Sequence, residues 1–218
     1  SVRKELHSGL VRVALSLPDV YEVGMSNLGL KILYQLLNER EDAAVERVYA
    51  PWVDMEKEMR QAGLPLYSLE TRTPIRDFEL LGFSLQYEMS YSNVLNMLDL
   101  AGISLLARER QEDEPLVIGG GPCAFNPEPA ADFFDCFVLG EGEEILEVLH
   151  VLARRETFEK AQVLRDAKTQ QLAQNTARFG IGEPLVELQV AFAVRGEFRG
   201  EAFVEYRLRQ GPARPALD

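Results

Sequence analysis

The chain has 218 residues, 46% of them hydrophobic and 27% charged, the composition of a folded globular protein with room for one domain and an appendage. No apolar run approaches the ~18–20 residues of a membrane span, and no charged-then-apolar leader suggests secretion. The net charge of −12 lies wholly in residues 1–155, where 26 acidic side chains oppose 14 basic ones, whereas residues 156–218 carry nine of each. A surface so acidic repels a phosphate backbone, which argues against nucleic acid as its partner. Two cysteines, Cys123 and Cys136, are too few for a disulfide framework or a four-cysteine metal site, so a reducing, cytoplasmic setting is expected.

Val11–Leu17 (VRVALSL) is a β-branched apolar run stopped by Pro18. Leu28, Ile32, Leu33, Leu36 and Leu37 then recur at helical spacing, with Ser26 or Asn27 available as the cap. A second strand fits Val45–Ala50, and Trp52, Met55 and Met59 predict the apolar stripe of a short helix ending at Gly63. Leu80–Leu85 is the third strand, followed by a helix over roughly Ser90 to Ala101 with Val94, Leu95 and Leu98 inward and Gly102 as its stop. The fourth strand, Leu116–Ile118, runs into Gly119, Gly120 and Gly121, and Asn126-Pro127-Glu128 reads as a helix start with proline first. Cys136–Leu139 is the fifth strand. It leads through Gly140-Glu141-Gly142-Glu143 into a helix that turns Ile145, Leu146, Leu149 and Leu152 inward.

Strands alternating with helices predict an α/β fold, a doubly wound five-stranded parallel sheet in the order 2-1-3-4-5. Residues 156–218 differ: a polar helix to about Ala177, then two alternating runs, 186–194 and 202–208, around Gly196 and Gly200. The expected division is a doubly wound domain over 1–155 and a helix plus β-hairpin appendage over 156–218. An isolated hairpin is marginal in water, so this one must pack on the sheet or on another domain.

In such folds ligands bind beyond the carboxyl ends of the strands, at the loops. The first loop holds Asp19, Tyr21, Glu22, Ser26 and Asn27 around Gly24. The third holds Ser84, Gln86, Tyr87 and Ser90. Each has a simple structural explanation in helix capping, by Ser90 in the third loop, and Tyr87 reads equally as packing. Three glycines after the fourth strand allow close backbone approach to a ligand. Glu141 and Glu143 suit the positive end of the fifth helix and disfavour phosphate there. With only His7 and His150 in the chain, no imidazole base is expected at the rim, and no Walker loop, GxSxG, HExxH or GxGxxG occurs.

Four segments in this order, PDVYEVGMSNLGL (18–30), GFSLQYEMSYSN (82–93), IGGGPCAFNPEP (118–129) and FVLGEGEE (137–144), resemble the cobalamin-binding-type domain at the front of many radical SAM proteins. The resemblance spans about Val11 to Leu152 and is nearest to an uncharacterised radical SAM subfamily. It implies an accessory, non-catalytic domain with cobalamin as candidate cofactor and Asp19, Tyr21, Gly24, Ser84, Gln86, Gly119, Gly120, Gly121, Gly140 and Glu141 as the residues around it. In that family an Asp-x-His-x-x-Gly frame supplies a histidine to cobalt; here Tyr21 stands in its place. A phenol, which keeps its proton at neutral pH, is a poor cobalt ligand beside a neutral imidazole, so the resemblance implies binding without a histidine ligand. The Cys-x3-Cys-x2-Cys that holds a 4Fe-4S cluster for S-adenosylmethionine does not occur in these 218 residues, and the resemblance implies that both would belong to a catalytic barrel downstream of Asp218. That barrel is the implied partner. The other reading is a ligand-free docking module covering it; a flavodoxin-like carrier lacks its Ser/Thr-rich phosphate loop.

Overall fold

The computed structural model describes residues 2–4, 10–139, 187–192 and 203–207. The first strand, β1 (Val11–Leu17), lies inside the sheet, paired in parallel with β2 (Ala43–Tyr49) on one side and β3 (Leu80–Ser84) on the other. Next come β4 (Leu116–Gly120) and β5 (Cys136–Leu139), so the parallel strands stand in the order 2-1-3-4-5 expected from the alternation of elements. All five point the same way, which brings Leu17, Tyr49, Ser84, Gly120 and Leu139 to one rim.

Successive residues of a strand face opposite sides, and both sides are covered. Ala14, Leu81, Phe83, Val117 and Phe137 point to the face packed by α3 (Val53–Ala62) and α4 (Tyr91–Ala101), through Met59, Val94, Met97 and Leu98. Val13, Leu15, Val45, Leu80 and Ile118 point to the other, where α2 (Leu28–Glu39) places Leu30, Tyr34 and Leu37. The observed stripe of α2 therefore differs from the expected one: Leu28 and Ile32 are exposed. Trp52 and Met55 are exposed too, and of the expected α3 stripe only Met59 is buried. Leu28, Trp52 and Met55 lie in the opening turns, which stand above the strand ends where there is no sheet to cover them.

A one-turn helix, α1 (Tyr21–Gly24), interrupts the first loop. The crossover from β4 to β5 holds two 3-10 segments, Pro122–Phe125 and Glu128–Phe133, in place of the α-helix expected from Asn126-Pro127-Glu128. The predicted hairpin is present as β6 (Glu187–Phe192) and β7 (Phe203–Arg207). It extends the same sheet, with β6 antiparallel to β5 from Cys136↔Phe192 to Leu139↔Gln189. The helices predicted after Gly140 and over 157–177 lie outside the described residues.

The outer edge of β2 is closed by side chains. The Asn38 amide donates to Val45 O at 3.0 Å and accepts from Val45 N at 3.1 Å, imitating a neighbouring strand. One residue pair further on, Arg47 N donates to Glu70 Oε2 at 2.8 Å and Leu69 N donates to Arg47 O at 2.8 Å. Lys4 Nζ donates to Ala43 O at 2.7 Å. Glu70 is fully buried and also accepts from Arg47 Nε at 2.8 Å, while the Arg47 guanidinium lies 4.5 Å over the Tyr34 ring. Exposed strand edges invite pairing with other chains, and these contacts remove the template. Breaking a buried ion pair from one side leaves an uncompensated charge, which costs about 3–5 kcal/mol. Glu70→Ala should lower stability by about 3 kcal/mol or more, read as a fall in the urea midpoint.

Candidate functional site

The rim loops are tied to one another chiefly through Asp19. Its backbone carbonyl accepts from Ala50 N of the second loop at 2.9 Å. One carboxylate oxygen accepts from Val20 N at 2.8 Å, and the other from the Tyr87 hydroxyl of the third loop at 2.8 Å. That last bond favours the protonated phenol and pushes the Tyr87 pKa above its ordinary value. Asn93, at the start of α4, donates to Pro18 O at 2.9 Å and ties the first loop to the third a second time. The third and fourth loops are joined through backbone: Leu85 N donates to Gly120 O at 2.7 Å and Cys123 N donates to Leu85 O at 3.1 Å.

Asn27, rather than Ser26, caps α2, accepting from Leu30 N at 2.8 Å; the Ser26 hydroxyl bonds back to Val23 O. Ser90 makes no capping bond to α4 but donates to Tyr87 O at 2.7 Å, and so fixes the loop carrying the Tyr87 ring. Beneath these groups Tyr91 packs by Cys123, and burial together with the thiol pushes its phenol up to about 12. Cys123 itself is buried and its thiol is pushed up by burial, so it fills space without nucleophilic character. Cys136 is core, as expected.

The residues that the resemblance assigns to a corrinoid are largely occupied by this chain's own contacts. Tyr21 is exposed and meets Tyr49 edge-on, ring centroids 5.9 Å apart. At Gly24 an added Cβ would fall 2.1 Å from the Tyr49 ring, so glycine is required for that ring to pass beneath α1. At Gly119 a Cβ would meet the Phe137 ring at 2.8 Å, and at Gly121, with φ +91°, it would meet Leu85 O at 3.0 Å. Gly120 is different: a Cβ there meets nothing within 4 Å. Gln86 Nε2 donates to Ser84 Oγ at 2.8 Å at the end of β3. Gly140 and Glu141 lie outside the described residues. Among the described residues there is no histidine and no group of three or more metal-ligating side chains. No described residue at these positions could serve cobalt as an imidazole lower ligand.

The rim instead presents apolar side chains. Tyr21, Trp52, Val53, Tyr87, Met89 and Phe125 are all exposed there, Met89 at 83% and Phe125 at 72%. They come from all four described loops, which converge only in the fold. Their exposure is invisible to periodicity, which finds an apolar stripe without showing whether anything covers it.

The profile of a family described as the N-terminal region of radical SAM proteins matches residues 29–177. This chain belongs to that family. An uncharacterized protein of Methanocaldococcus jannaschii is 27% identical over 145 residues, which cover 65% of this chain and 26% of the relative. The chain thus spans about a quarter of the length of the curated relative it matches. Among the described residues no helix of this radical SAM N-terminal domain is long and apolar enough to cross a membrane.

The glycine geometry makes a paired prediction. Gly119→Ala forces a methyl against the buried Phe137 ring and should cost about 1–3 kcal/mol, the range for overpacked cores. Gly120→Ala enters open space and should change stability by less than about 0.5 kcal/mol. Urea unfolding of the two variants side by side checks both.

Proposed function

We propose that this domain is a non-catalytic accessory module whose strand-end rim docks on the radical SAM domain of the same protein, where the 4Fe-4S cluster and S-adenosylmethionine reside. The observation that carries the reading is the exposed apolar rim built by four loops. Exposed apolar patches of this kind mark interaction surfaces in soluble proteins. The hydrogen bonds through Asp19 and Leu85 fix the loops before any partner arrives, which lowers the ordering cost of association. In this reading residues 1–155 form the docking unit and 156–218 an appendage, its hairpin lengthening the sheet on the β5 side. A cytoplasmic setting accords with two buried, unpaired cysteines.

Oxidative footprinting reads Trp52, Met89 and Phe125 one by one. Their labelling rates should fall several-fold in a protein extended through the radical SAM domain, relative to the 218-residue chain. Leu64 and Leu105, exposed away from the rim loops, should not change. Equal rim labelling in both proteins would refute docking.

A second reading, cobalamin held without a lower ligand near Asp19, Tyr21 and the glycines, is favoured by one observation, the open space at Gly120. After mixing with hydroxocobalamin and desalting, a corrinoid-binding chain retains the visible band at near-unit stoichiometry and loses it in Gly120→Leu. A colourless wild-type chain removes this reading and leaves docking standing.

A further inference from the structure

The rim segments 18–30, 50–56, 85–93 and 121–129 contain no lysine and no arginine. Beside their apolar side chains they carry Asp19, Glu22, Asp54, Glu56, Glu88 and Glu128. Glu56 is neutralised by Arg60 of its own helix at 2.8 Å, and Asp19 is engaged by Tyr87. Glu22, Asp54, Glu88 and Glu128 are exposed and form no ion pair among the described residues. Elsewhere several arginines are paired within the domain, Arg12 with Glu79, Arg47 with Glu70, Arg76 with Asp113 and Arg110 with Asp135, while Arg3, Lys31, Lys57 and Arg72 form no ion pair among the described residues. Four exposed, unpaired carboxylates therefore border the apolar crown.

We infer that the rim recognises an apolar protein surface framed by lysine and arginine side chains, borne by the radical SAM domain of the same protein. This rests on the docking reading above and adds the partner's chemistry to it. The apolar centre supplies the area removed from water, and the carboxylates at its margin select the partner and its orientation, the ordinary division between the core and the border of an interface. A second copy of this chain is disfavoured, because two acid-bordered rims would face each other with like charge. Unframed apolar surfaces would leave four carboxylates partly desolvated without compensation.

The test uses the protein that includes the radical SAM domain, with footprinting of Trp52, Met89 and Phe125 as the readout. Raising monovalent salt from about 0.1 M to about 1 M shrinks the screening length from ~10 Å to ~3 Å and should restore rim labelling toward that of the 218-residue chain. Glu22→Lys, Asp54→Lys, Glu88→Lys and Glu128→Lys combined should weaken docking about tenfold or more, at a few-fold for each exposed charge. Glu41→Lys with Glu112→Lys, exposed at the opposite end of the strands, should leave labelling unchanged. Urea unfolding of the 218-residue chain carrying the four rim changes separates lost docking from lost folding. Rim protection that ignores both salt and charge reversal overturns the basic frame while docking stands. A rim unprotected at every salt concentration overturns docking itself. Concentration-dependent self-association of the 218-residue chain that buries the same three residues assigns the rim to a second copy and overturns the inference.

Discussion

Asp19 sits where the first, second and third loops meet, and its three acceptor atoms hold Ala50, Val20 and Tyr87. A parallel sheet delivers all of its strand ends to one side, so the polar backbone of several loops must be satisfied in a small space. Asp19 answers that demand on one half of the rim and Leu85 on the other, where its N–H and carbonyl bridge to Gly120 and Cys123. With these backbone groups satisfied between the loops, the outward-facing side chains include Trp52, Met89 and Phe125 beside Glu22, Asp54, Glu88 and Glu128.

The closed edge of β2 bears on the same point. Asn38, Glu70, Leu69 and Lys4 occupy its outward backbone groups, so a partner gains nothing by adding a strand there. Both faces of the sheet are committed to the core, one to α2 and the other to α3 and α4. The rim is thus a described surface on which apolar area and free charge coincide. Membership of the family of radical SAM N-terminal domains accords with an accessory role for such a surface.

Much of the architecture was legible because burial on both faces leaves a strong mark. VRVALSL is largely apolar, and the alternation of such runs with helical spacing points to a doubly wound sheet, for which 2-1-3-4-5 is a common order at this length. Boundaries and stripes were less legible. Leu28 and Trp52 fall at the right period to be core, yet they occupy opening turns above the sheet; the positions that turn inward on α2, at Leu30, Tyr34 and Leu37, include a tyrosine whose hydroxyl accepts from Val2 N. The three glycines after β4 look alike in sequence, but Phe137 excludes a side chain at Gly119, a positive φ does so at Gly121, and nothing does so at Gly120. Tyr87 read equally as packing or polar function, and its bond to a residue 68 positions away has no local signal.

Composition and local spacing alone determined the α/β class, the acidic balance, the strand sequence and the loops that gather at the rim, because these depend on hydrophobic period and on residues near in the chain. The tertiary structure decided which apolar residues remain uncovered, which glycines are internal necessities, and where the hairpin joins the sheet. It decided as well that the loops form one tied platform. Each of these depends on contacts between distant segments, whose energies no local pattern encodes.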